Sequence, residues 1–255
     1  FKQKTAYEIS LGLVGSEMCI RDRACITGAS RGIGRRTAEL LSERGWNLLL
    51  TARSGHELED LATRLRSSSQ VVATAAVDLT NPSDIQPAFA RLMSEGGAPS
   101  VLVNNAGAAY TGDLLAMPLE RWQWLLQLNL TSVMQVCSAV VPSMRSQGGL
   151  VINVSSHAAR NAFPQWGAYC ITKAALASFT RCLAEEERDK GIRACTLTLG
   201  AVNTPLWDAE TVQSDFDRRA MLSVDQAADA LVNLAEQPST QVIEDLTLMP
   251  AAGAF

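Results

Sequence analysis

The stretch Thr27-Gly28-Ala29-Ser30-Arg31-Gly32-Ile33-Gly34 decides the reading of this chain. A short apolar run ending at Ile26 leads into it, and a helical pattern from Arg35 to Arg44 follows. Three glycines at a strand-to-helix turn let the backbone approach a bulky anionic group, and glycine tolerates the positive φ angles a tight turn needs. The helix beginning there offers unpaired N–H groups and the positive end of its dipole. The physical reading is a pyrophosphate cradle. A glycine-rich turn with no ligand is the bland alternative, since an isolated motif of this kind also arises by chance.

Working outward, the pattern alternates. Trp46 to Ala52 reads as a buried strand, and Ser54 with Glu57 opens a helix running to about Arg66. Gln70 to Val77 is a third strand with Asp78 at its end. Asn81 is expected to cap the next helix, with Pro82 at its first position. Val101-Leu102-Val103 ends in Asn104-Asn105-Ala106-Gly107. A long helix from Pro118 to Met144 follows, with Pro142 expected to bend or end it. Leu150 to Val154 leads to Ser155-Ser156, then a helix from Gly167 to Asp189, then a strand from Ile192 to Leu199. Ser223 and Gln226 form a capping box opening a helix to Glu236, and Val242 to Met249 is the last strand. Strands alternating with helices predict an α/β fold, a Rossmann-type doubly wound parallel sheet with helices on both faces. In such sheets ligands sit at the carboxyl ends of the strands, where every polar cluster named above lies.

The chain has 255 residues, a net charge of −4 and a pI near 5.3, which argues against a nucleic-acid partner. No apolar run reaches the roughly 18 residues needed to span a membrane. Six scattered cysteines contain no C-x-x-C pair, so no metal is expected, and a reducing, cytoplasmic setting fits. Residues 1–23 do not match the rest. Their text, Lys-Gln-Lys-Thr-Ala-Tyr-Glu-Ile-Ser and then Leu-Val-Gly-Ser-Glu-Met-Cys-Ile-Arg-Asp-Arg, looks like translated sequencing adapter. They are expected to be non-native or disordered, with residues 24–255 as a single domain. A native N-terminal arm is the alternative.

Tyr169 and Lys173 are four apart on a predicted helix and share a face. A nearby ammonium favours the phenolate, so the tyrosine, ordinarily near pKa 10, is expected to shift down and serve as an acid/base near neutral pH. The glycine-rich turn, Asn-Asn-Ala-Gly, Asn129, Ser156 and Tyr169-x-x-x-Lys173 together resemble the short-chain dehydrogenase/reductase family. Ser156 precedes Tyr169 by thirteen positions, the family's usual spacing, which favours it over Ser155. The resemblance covers roughly residues 24–249.

The resemblance implies four catalytic residues. Tyr169 gives a proton to a carbonyl oxygen, Ser156 hydrogen-bonds that oxygen, Lys173 holds the nicotinamide ribose, and Asn129 supports a water relay to Lys173. A buried amide within the apolar Leu128-Asn129-Leu130 needs a partner, which favours that role over mere packing. The cofactor would contact Gly28, Ser30, Arg31, Gly32, Ile33, Gly34 and Arg53, with Asp78 on the adenine amino group. Asn104, Ala106 and Gly107 would line the adenosine side, and Val202 and Thr204 the carboxamide. The family commonly has Pro-Gly after the sixth strand; here it is Leu199-Gly200, which is expected to loosen that loop without removing a catalytic group.

An acidic residue about 20 positions past the cradle holds the ribose 2′-OH in NAD enzymes. Ala52 and then Arg53 stand there, and Arg31 sits inside the turn. Two guanidinium groups suit a 2′-phosphate, so NADP(H) is the expected cofactor, against the alternative of two solvated arginines. Reduction of a ketone or aldehyde is the expected reaction. A 3-oxoacyl thioester reductase and a non-catalytic NADP-binding regulator are the alternatives. His157, Phe163, Trp166, Tyr110 and Trp207 are the candidate substrate contacts. His157 beside Ser156 does not make a hydrolase, since no nucleophile elbow or acid partner is visible. By resemblance the chain is a homodimer or homotetramer, paired through the helices carrying Asn129 and Tyr169.

Overall fold

The computed structural model describes residues 22–66 and 70–253. Seven parallel strands form one sheet in the order β3-β2-β1-β4-β5-β6-β7. In chain order they are β1 (Arg23–Thr27), β2 (Asn47–Ala52), β3 (Val72–Ala76), β4 (Val101–Asn104), β5 (Gly149–Ser156), β6 (Ile192–Leu199) and β7 (Asp245–Leu248). The chain builds outward from β1 to β3, returns to β4, and builds outward the other way. That reversal opens a crevice between the ends of β1 and β4.

Alternate strand residues serve opposite faces. Ile26, Leu48, Leu50, Val103 and Ile152 pack with α1 (Gly32–Glu43), α2 (Gly55–Leu65) and α7 (Val224–Ala235). Cys25, Leu49, Leu102 and Val151 pack with α3 (Pro82–Gly96), α5 (Ser132–Met144) and α6 (Gly167–Glu187). Burial of each such leucine contributes about 1.5–3 kcal/mol. Gly96 marks how closely α3 approaches: a Cβ there would stand 2.1 Å from Leu49 Cδ2.

Several boundaries differ from the sequence reading. Arg23 begins β1, and its Nη1 donates to the Ala98 carbonyl at 2.6 Å. The expectation for residues 1–21 lies outside the described residues. The Asn81 side chain does not cap α3; its Nδ2 donates to Asp84 Oδ2 at 3.3 Å. The long helix is three pieces: α4 (Leu119–Leu126), a π turn at Gln127–Thr131, and α5, which continues only two residues past Pro142. Together, Leu119–Met144 are long and apolar enough to cross a membrane by length and composition. Yet 56% of the apolar window is buried inside the fold, as in a core helix. The last strand is shorter than expected, with Val242 exposed ahead of it.

Candidate active site

The strand ends meet in one cavity of about 910 Å³. One end of it is the turn after β1. Gly28 has φ +68, and a Cβ there would come within 3.0 Å of Ala106 Cα. Gly34 is needed for space: its Cβ would lie 2.4 Å from the Gly28 carbonyl oxygen. Thr27 joins this turn to the one after β4, since its Oγ1 accepts the N–H groups of Asn105 and Ala106 at 3.0 and 3.1 Å. Asn105 Nδ2 returns a bond to the Thr27 carbonyl at 3.0 Å. No side chain caps the N-terminus of α1, and its first turn holds no acidic residue. Gly32 and Ile33 of that turn line the cavity. Free helix N–H groups beside a backbone without Cβ atoms fit a pyrophosphate.

Arg31 and Arg53 are exposed and line the same end, beside Ala52. Neither makes an ion pair among the described residues. Glu57 is the acidic group at that end, and Ser54 accepts its backbone N–H. Ser30, Ala106, Gly107, Val202 and Thr204 also line the cavity.

The other end carries Ser156, Tyr169 and Lys173. Ser156 ends β5, and Tyr169 and Lys173 lie one turn apart on α6. The Ser156 hydroxyl lies beside the Tyr169 phenol and favours its ionised form. Ser155 points elsewhere, its Oγ donating to the Lys173 carbonyl at 3.4 Å. The buried Lys173 ammonium donates to the Val154 carbonyl at 3.0 Å and lies 5.7 Å from the Tyr169 ring centroid. Burial pushes the phenol up to about 12, against the pull of Ser156, and lowers Lys173 to about 8. The expected downward shift of Tyr169 is therefore reversed. Removing the phenolate from water costs more than Ser156 returns, and Lys173 points its ammonium at a carbonyl instead.

Asn129 occupies the π turn, a distortion that often marks functional sites. Its Oδ1 accepts the Ala108 N–H at 2.9 Å, and its Nδ2 donates to the Ala108 carbonyl at 2.9 Å and to Thr172 Oγ1 at 3.1 Å. The buried amide is thus satisfied, and it pins the turn after β4 beside Lys173. A Cβ on Gly107 would stand 3.2 Å from Asn129 Oδ1 and 3.7 Å from Lys173 Nζ.

Three expected contacts are placed differently. Asn104 is buried beneath the cavity, donating to Asn153 Oδ1 at 2.9 Å; Asn105 is the asparagine that lines it. Asp78 is turned back onto Thr80, whose N–H and hydroxyl it accepts at 2.9 and 2.8 Å, while Val77 and Leu79 line the cavity. Tyr110 lies off the cavity against Gly112, whose Cβ would meet its ring at 3.1 Å. His157, Phe163, Trp166 and Trp207 do line it, joined by Trp124 and Phe216, which the sequence reading missed. The loop after β6, lacking the family's proline, is held by a bridge between Val202 and Leu222. Trp207 Nε1 adds a bond to the Val202 carbonyl at 2.8 Å.

Such an arrangement defines a Rossmann-type α/β fold with a phenol, a hydroxyl and an ammonium gathered at one end of its cavity. The chain belongs to the short-chain dehydrogenase/reductase family: the short chain dehydrogenase family model matches residues 22–215. It is 30% identical to an uncharacterized oxidoreductase of Staphylococcus saprophyticus over 89% of this chain and 96% of that one. Among solved structures it is similar to an alcohol dehydrogenase of Thermococcus sibiricus complexed with 5-hydroxy-NADP. There the TM-score is 0.83 at 28% identity, over 91% of this chain and 97% of that one. It is also similar to L-sorbose reductase of Gluconobacter frateurii, solved with NADPH and L-sorbose, with a TM-score of 0.81 at 27% identity. That match covers 90% of this chain and 95% of the other.

Proposed function

We propose that this oxidoreductase uses NADPH to reduce a ketone or aldehyde to an alcohol. The observation that carries the reading is the pair of cations, Arg31 and Arg53, on the cavity wall opposite the Ser156–Tyr169 end. Ala52 leaves no acidic partner for a 2′-OH at the end of β2. One nearby carboxylate, Glu57, does not cancel two guanidinium groups that can each grip a phosphate. The NADP and NADPH complexes of the similar structures support the choice.

A bound NADPH supplies the hydride. The chain's own residues do the rest. Ser156 holds the carbonyl oxygen and withdraws charge from it. Tyr169, protonated throughout the neutral range, donates its proton to that oxygen as negative charge develops. Lys173 brings a positive charge to the same wall, which lowers the cost of the phenolate left behind. Asn129 spends its side chain on Ala108 and Thr172, so we assign it as a positioning residue for the Ala106–Ala108 turn and Lys173.

The test is a double variant, Ala52→Asp with Arg53→Ala. Losing one charge-assisted pair to the phosphate, about 1.5–3 kcal/mol, should weaken NADPH binding about tenfold to a hundredfold. The new carboxylate should favour NADH through its 2′-OH. Dissociation constants for both cofactors at one ionic strength measure it. An unchanged ratio would show that the phosphate is held elsewhere.

A further inference from the structure

Beyond Tyr169 the cavity ends in three rings. Trp166 and Phe216 lie with their planes within 9° of parallel and their centroids 6.4 Å apart. Trp207 stands across both, 5.6 Å from Trp166 and 5.5 Å from Phe216, at steep angles of 60° and 69°. Trp166 also meets the Tyr169 ring edge-on at 5.7 Å, so the ring cluster begins at the phenol itself. All these rings line the cavity.

The surrounding backbone is arranged to hold them there. Gln165 adopts φ +67, rare for a residue with a side chain, and its carbonyl accepts the Gly112 N–H at 2.8 Å, turning the chain into Trp166. The segment bearing Phe216 is tied to the turn after β4. Thr211 Oγ1 donates to the Ala109 carbonyl at 2.8 Å, and the Gln213 N–H to Thr111 Oγ1 at 2.7 Å. Just past Phe216, Arg218 reaches back to Asn203 Oδ1 at 2.7 Å and to the Thr204 carbonyl at 3.0 Å. The charged lining group at this end, besides the buried Lys173, is Glu210.

We infer that the substrate is an aryl ketone or aldehyde without an anionic group, its ring added to the Trp166–Trp207–Phe216 cluster and its carbonyl presented to Tyr169. This deepens, and rests on, the reductase reading. A flat ring gains both area and favourable ring–ring geometry in such a cluster. A carboxylate or phosphate on the same skeleton finds only the buried Lys173, whose ammonium is already held by the Val154 carbonyl, and meets Glu210.

Three ketones test it with NADPH as the reductant: acetophenone, cyclohexyl methyl ketone, which matches its size but is not flat, and 4-acetylbenzoate, which adds a carboxylate. Binding is followed separately by quenching of tryptophan fluorescence in the NADPH-loaded protein. The expected result is kcat/KM for acetophenone at least about fivefold above each of the others, as a ring pair of about 1 kcal/mol gives. Phe216→Ala should raise KM for acetophenone by about fivefold, more than for the cyclohexyl ketone, and Glu210→Gln should narrow the gap to 4-acetylbenzoate. Equal or better turnover of the cyclohexyl or carboxylate ketone overturns the aryl inference while leaving the reductase reading intact. Phe216-dependent binding of acetophenone with no turnover of any ketone or of simple aldehydes supports the aryl site and overturns the reductase reading. Neither binding nor turnover overturns both.

Discussion

Lys173 shows what individual side chains contribute and cost at this site. Burial lowers its ammonium to about 8 from an ordinary 10.5. The folded value lies below the unfolded one, so between those pH values the unfolded chain binds more protons. The penalty on the fold is complete below about pH 8 and is relieved as pH rises from there toward 10.5. Its ceiling is roughly 3 kcal/mol, at about 1.4 kcal/mol per pH unit. Lys173→Met removes that penalty and strips the Val154 carbonyl of its donor, a loss of about 1 kcal/mol. The variant should melt a few degrees above the parent near pH 7, at roughly 2–4 °C per kcal/mol. The margin should shrink toward pH 10, and NADPH-linked turnover should fall by about 10²-fold or more. Melting curves at the two pH values, with initial rates, check this; a variant less stable than the parent near pH 7 contradicts it. At this scale the sequence was legible wherever spacing sufficed, as with Tyr169, Lys173 and Ser156. It misled at Asn104, because neighbouring residues leaving a strand face opposite sides, and one position separates a buried amide from a cavity wall.

The elements hold the site through close backbone approaches. The turn after β1, the start of α1 and the turn after β4 interlock around Gly34, with Asn105 Nδ2 only 2.6 Å from where a Cβ would stand. Gly34→Ala must push the Gly28 peptide away, and the strain should cost about 1–3 kcal/mol. A lower melting temperature and weaker NADPH binding are the expected outcome, read by calorimetry and titration. A melting temperature equal to the parent's would show that the cradle yields without strain. The strands and the capping box at Ser223 were readable because apolar runs and capping chemistry are local signals. The π turn at Gln127–Thr131 was not, since it adds no break in composition and shows only as a shift in backbone bonding. Phe216 was hidden for a related reason. It lies in an irregular segment, where no periodicity says which way a side chain faces.

For the molecule as a whole, the order of the strands does most to explain the cavity. Reversal between β1 and β4 sets the glycine turn after β1 beside the Asn105–Gly107 turn, and the extension through β5 brings Ser156 and α6 alongside. Alternating strands and helices made that architecture legible. The closing wall was legible only in part, because residues 205–221 reach the cavity through hydrogen bonds to the Ala109–Thr111 strip, which is distant in sequence. On the proposed function, the two ends of this cavity are separable, one holding NADPH and the other moving a proton. Tyr169→Phe tests that division most directly, since phenylalanine keeps the ring against Trp166 and removes only the phenol. Measured together, NADPH affinity should stay within a few-fold of the parent, while turnover of a reducible ketone falls by about 10²–10⁴-fold. Turnover within about tenfold of the parent would contradict the assignment of Tyr169 as the proton donor, because a positioned acid contributes more than that.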